Sequence, residues 1–127
     1  MAGERGEQTP VALFEDDKTR REVLTEFLDM SGYMVALEAG DMQQALQIID
    51  QFKEANIVAA LIDGNLNDDV SGDDGERIVF LIQEKAPSVK TLGISFSRAG
   101  VRGADKNISG LEGSSAVVRA LTELLTS

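Results

Sequence analysis

The sequence predicts an α/β fold, a parallel sheet with helices packed on both of its faces. Two observations carry this. Short apolar runs of strand length alternate along the chain with segments whose apolar residues recur at helical spacing. Two of the runs, Val11 to Phe14 and Ile57 to Ile62, are apolar without a break, as strands buried on both faces are. The 127 residues suffice for one domain, and neither an internal repeat nor a long linker divides them.

The elements follow in order. Met1 to Thr9 is polar and reads as a flexible tail, with the domain spanning 10–127. Val11 to Phe14 is the first strand and ends abruptly in Glu15-Asp16-Asp17. Asp17 can cap a helix whose apolar side is Val23, Leu24, Phe27 and Leu28, with Gly32 as its stop. Tyr33 to Ala39 reads as a second, less apolar strand. Asp41 and Gln44 have capping-box spacing ahead of Ala45, Leu46, Ile48, Ile49 and Phe52. The third strand, Ile57 to Ile62, runs directly into Asp63. A loop rich in Asn, Asp and Gly leads to a helix from Glu76 to Lys85, with Pro87 beyond its end. Val89 to Phe96 is the fourth strand. Ser97 to Gly113 holds four glycines and room for one short strand within Val101 to Ile108. Ser114 to Leu125 closes the chain as a helix with Val117, Val118, Leu121, Leu124 and Leu125 on one side.

Composition excludes several functions. The chain has no cysteine and no histidine, so thiolate metal sites, disulfides and His-assisted nucleophiles are impossible. The formal net charge of -10 opposes binding to nucleic acid or to anionic membranes. No apolar run has the length of a membrane span, and no signal-peptide core precedes the domain, so a cytoplasmic location is expected. Divalent cations and basic protein surfaces are the natural complements.

Ligands of an open parallel sheet collect outside the carboxyl ends of its strands. There the first strand brings Glu15 and Asp16, the third Asp63, and the fourth Ser95. Three carboxylates at one edge repel each other unless a cation neutralises them, and oxygen donors favour magnesium or manganese. The Val11 to Asp17 segment resembles the first strand and acidic pair of response-regulator receiver domains, and Leu61-Ile62-Asp63-Gly64-Asn65-Leu66 resembles their phosphoacceptor strand end. The resemblance runs from Val11 to about Phe96. It implies a doubly wound, flavodoxin-like five-stranded parallel sheet in the order 2-1-3-4-5. It also implies Asp63 as phosphoacceptor and Mg2+ or Mn2+ on Glu15, Asp16, Asp63 and the backbone carbonyl of Asn65. Ser95 takes the place of the switch hydroxyl. The implied donor is a phosphohistidine on a histidine kinase or phosphotransfer protein, and the implied catalysis is limited to the domain's own phosphorylation and dephosphorylation.

The chain departs from that pattern in three places. The loop after Asp63 is about four residues longer and carries Asp68, Asp69, Asp73 and Asp74. Phe96 stands where a small residue is usual. The interval from Ser95 to Lys106 is about half the usual length, so the fourth helix is short or absent, and any homodimer must use a non-standard face. Two placements of the family's lysine stay open. It is Lys106 if the fifth strand ends there; if Gly103-Ala104-Asp105 is the turn before that strand, the position falls near Gly110 and the site has no amine. Arg20 and Arg21 read as surface residues.

Other readings compete. Asp63 could merely cap a turn. Asp63, Asn65 and Asn67 mimic the start of a calcium loop, but Asp68 stands where its glycine belongs. A pseudo-receiver, a protein-interaction module without phosphoryl transfer, is the first functional rival. A small phosphatase with an Asp nucleophile is the second, and it requires an acid where Asn65 stands.

Overall fold

The computed structural model describes residues 8–64, 73–95 and 100–126. Five strands, β1 (Thr9–Phe14), β2 (Tyr33–Ala39), β3 (Ala59–Asp63), β4 (Lys90–Ser95) and β5 (Lys106–Ser109), pair in parallel in the order β2-β1-β3-β4-β5. Four α-helices accompany them among the described residues: α1 (Lys18–Met30), α2 (Met42–Ile49), α3 (Asp73–Lys85) and α4 (Ser114–Thr126). The expected doubly wound sheet and strand order are therefore observed.

Strand periodicity divides the core. Val11 and Leu13 of β1 point to one face with Ala59, Leu61, Leu92 and Ile94, where α1 and α4 cover them through Leu28 and Leu121. Ala12 and Phe14 point to the other face with Ala60 and Ile62, beneath Ile49 of α2 and Ile78 and Ile82 of α3. Each fully buried aliphatic side chain contributes about 2 kcal/mol.

The caps follow the sequence. Asp17 accepts from the Arg20 amide at 2.8 Å, and Asp41 from the Gln44 amide at 2.8 Å, while the Gln44 side chain accepts from the Gly40 amide at 2.7 Å. Several boundaries differ from expectation, three of them as follows. Thr9 belongs to β1 and pairs with Tyr33, so the first strand begins within the expected tail; residues 1–7 lie outside the described residues. Helix α2 stops at Ile49, and Phe52 reaches the core from the turn that follows. Helix α3 starts at Asp73, three residues early.

The connection from β4 to β5 is the main irregularity. Among its described residues, 100–105, there is no helix. Instead Val101, 1% exposed, folds down into the core cluster that also holds Ile78 and Val79. Asn107 of β5 clamps it: the Val101 amide donates to Asn107 Oδ1 at 2.8 Å, and Asn107 Nδ2 donates to the Val101 carbonyl at 3.2 Å. The approach is possible because Gly93 has no side chain; a Cβ there would overlap Asn107 Oδ1 and stand 2.7 Å from Val101 Cβ. Asp105 fastens the entry to β5, accepting from the Thr91 amide at 2.8 Å and hydroxyl at 3.1 Å. Among the described residues, one loop valine and two polar clamps hold this connection to the sheet.

Candidate functional site

Strand β1 delivers Glu15 and Asp16 to the carboxyl edge of the sheet. The Glu15 amide still donates to the Ala39 carbonyl at 3.0 Å, which holds it in line with the strand. Next to it, β3 ends on Asp63, and the Gly64 amide donates to the Ile94 carbonyl at 2.8 Å, fixing the strand end against β4. Carboxylate oxygens of Glu15, Asp16 and Asp63 all lie within 4.8 Å of one another. Glu15 and Asp63 are buried, at 3% and 0% exposure.

Two carboxyl groups this close and this dry do not both ionise readily. Burial first, then the hydrogen bond and the negative charge of Asp63, push Glu15 up to about 8 from 4.5. The Asp17 amide, 3.0 Å from Glu15 Oε2, and Arg20 oppose that rise.

Arg20 was expected on the surface and is instead part of this cluster. Its Nη2 lies 3.2 Å from Glu15 Oε2, 3.9 Å from Asp16 Oδ1 and 3.8 Å from Asp63 Oδ2. The cap of α1 aims it: the Arg20 amide is held by Asp17, which sets the first helical turn beside the end of β1. The available signal was spacing, since Arg20 is four residues after Asp16 and three after Asp17. Arg21 is also engaged, donating to the Glu15 carbonyl at 2.8 Å and lying 3.5 Å from Glu38.

Ser95 closes β4 at the same edge, 4% exposed, one residue beyond the pairing of Asp63 with Ile94. Lys106 is not at this edge. It opens β5 opposite Leu92, and the strand runs on to Ser109 opposite Ser95. Lys106 thus sits about 10 Å of strand away from the site end, and its Nζ lies 3.3 Å from Glu123 of α4. The placement of the strand end at Lys106 is corrected: the connection closes through Val101 and Asp105 before the strand begins, and Gly110 occupies the position beyond it. Asn65, Asp68, Asp69 and Phe96 lie outside the described residues.

Beside the carboxylates a cavity of about 230 Å³ is lined by Glu15, Thr19, Arg20, Ile94, Gly110 and Ser114, among others. Three hard oxygen donors from two adjacent strand ends fit a magnesium or manganese ion. No described helix is long and apolar enough to cross a membrane.

No family model matches the chain, and no curated protein matches it. Solved structures do. The non-phosphorylated HemR receiver domain from Leptospira biflexa superposes with a TM-score of 0.76 at 20% identity, covering 94% of this chain and 96% of that one. The signal receiver domain of an HD domain-containing protein from Pseudomonas fluorescens Pf-5 gives 0.75 at 15% identity, covering 94% and 95%. The CheY structure from Borrelia burgdorferi, a complex with CheX, BeF3 and Mg2+, gives 0.76 at 16% identity, covering 92% and 89%. The chain therefore has the fold of a response-regulator receiver domain.

Proposed function

We propose that the chain is a phosphoacceptor receiver domain of two-component signalling, with Asp63 as the acceptor. The observation that carries this reading is the convergence of Glu15, Asp16 and Asp63 within 4.8 Å at the strand edge of a receiver fold. A carboxylate oxygen of Asp63 forms the new P–O bond as the P–N bond of a partner's phosphohistidine breaks, and the imidazole keeps the electron pair. Glu15, Asp16 and Asp63 would hold Mg2+ or Mn2+, which would supply positive charge to neutralise the negative charge gathering on the phosphoryl oxygens. Ser95 stands at the adjacent strand end, where its hydroxyl can donate to the new acyl phosphate and register its presence. The partner is a histidine kinase or phosphotransfer protein. A solved relative pairs CheY6 of R. sphaeroides with the P1 domain of CheA3, which supports a partner of that kind. The domain has no turnover beyond its own phosphorylation and dephosphorylation.

A second reading has its own support. Lys106 lies away from the site on Glu123, and Arg20 reaches across the carboxylates, so the fold could serve as an interaction module without phosphoryl transfer. Incubation with Mg2+ and a small phosphodonor, followed by intact-mass measurement, separates the two. A single phosphoryl adduct, lost in Asp63→Asn, supports the acceptor. A chain that stays unmodified while beryllofluoride leaves its spectrum unchanged supports the interaction module.

A further inference from the structure

We propose that Arg20 is a tethered counter-ion that competes with the divalent cation for the same carboxylates, so that metal loading requires its guanidinium to leave. This rests on the metal-binding reading of Glu15, Asp16 and Asp63. The geometry is that of a substitute ion. A single nitrogen, Nη2, stands 3.2, 3.9 and 3.8 Å from oxygens of three residues whose carboxylates gather within 4.8 Å. One cation touching all three acids must approach that same region. A guanidinium and a divalent ion there would be like charges a few ångströms apart beside the buried Glu15 and Asp63, and the structure has no reason to hold both.

The side chain can also leave. Its backbone is fixed by the Asp17 cap, so only the side-chain torsions need to change. The Arg20 side chain is 44% exposed and borders the cavity of about 230 Å³ whose further lining includes Gly110 and Ser114. The cavity exists where glycine, rather than a long side chain, follows β5. The displaced guanidinium therefore has solvent on one side and open space on the other. Metal affinity is then set by the chain's own cation and lies below that of the bare acid cluster.

The test is Mn2+ and Mg2+ titration by calorimetry on the full chain, with circular dichroism to confirm folding. Arg20→Met should bind Mn2+ about tenfold more tightly than the unaltered protein, the scale of losing a charge-assisted hydrogen bond. Arg20→Gln provides a second variant should Arg20→Met fold poorly. Lys18→Met removes an equal charge from the same helical turn without touching the acids and should change affinity less than threefold. In NMR spectra the Arg20 Nε–Hε signal should shift on Mg2+ addition. Unchanged or weaker binding by both Arg20 variants, with the parent protein binding normally, overturns the competition and leaves the metal site standing. Equal tightening by Lys18→Met also overturns it, by reducing the effect to long-range charge. Folded parent and variants that all fail to bind Mn2+ overturn the metal reading and the proposal together.

Discussion

The two sides of the sheet are built by different means. On the β2-β1-β3 side, the continuous apolar runs of β1 and β3 hold the fold: Val11, Ala12, Leu13 and Phe14 are each 0% exposed, as are Ala59 to Ile62. On the β4-β5 side, specific polar bonds replace that redundancy. Asn107 clamps Val101, where Gly93 makes room for the pair, and Asp105 fastens Thr91. The acid cluster sits on the first side, and the rebuilt connection on the second. The difference teaches that a cluster of three carboxylates can rest on strands fixed by apolar burial while the neighbouring connection is fixed by a few particular polar bonds.

That contrast can be broken by experiment. The largest effect should come from Gly93→Val, whose side chain must displace both Val101 and the Asn107 carboxamide. A loss of about 3 kcal/mol in denaturant unfolding is expected; a neutral result would mean the connection is not packed on Gly93. Asn107→Ala should cost about 2 kcal/mol, because the Val101 amide loses its acceptor in a buried place. In hydrogen exchange the loosening should stay within residues 100–109. If β1 and β3 loosen equally, the two sides are one cooperative unit and the distinction fails.

A change of another kind should appear as a pH slope. Glu15 holds its proton more tightly in the folded chain, near 8 against 4.5. Its contribution is fully present below 4.5 and is lost as pH rises through 8. In chelator, then, thermal stability should fall across that window, and Glu15→Gln should flatten the fall. Adding Mg2+ should reverse the slope, since metal binding needs the carboxylate deprotonated. A chelator-insensitive profile would detach Glu15 from the site. Smallest of all is Lys106→Met, an exposed ion pair with Glu123, expected to change stability by less than about 0.5 kcal/mol. It should also leave phosphoryl adduct formation unchanged, and a strong loss of adduct would return Lys106 to the site.

The first side was legible in the sequence for a physical reason. Strands buried on both faces must be apolar throughout, and Asp17, Asp41 and Gln44 cap helices through local bonds that spacing alone predicts. Glu15, Asp16 and Asp63 were found because each directly follows or ends such a run. Strand β5 was expected within Val101 to Ile108 but could not be placed there, because Lys106 to Ser109 contains a single apolar residue and exists by pairing with β4. The clamp of Asn107 on Val101 is tertiary and has no periodicity to read. Arg20 was misread because a charged residue on an amphipathic helix looks solvated unless its distance to Asp16 and Asp17 is weighed.

The brevity of β5 and the irregularity of β2 also decide how this chain meets copies of itself. These two strands are the edges of the sheet, where unpaired backbone groups invite another strand. At one edge the register slips between Val11 and Ala12, leaving Ala36 as an extra residue that kinks β2, and Glu38 adds a charge beside it. At the other, only four residues are offered, and the first is a lysine. Neither edge is a long flat template, so sheet-to-sheet joining and the fibrils that grow from it are disfavoured at both ends.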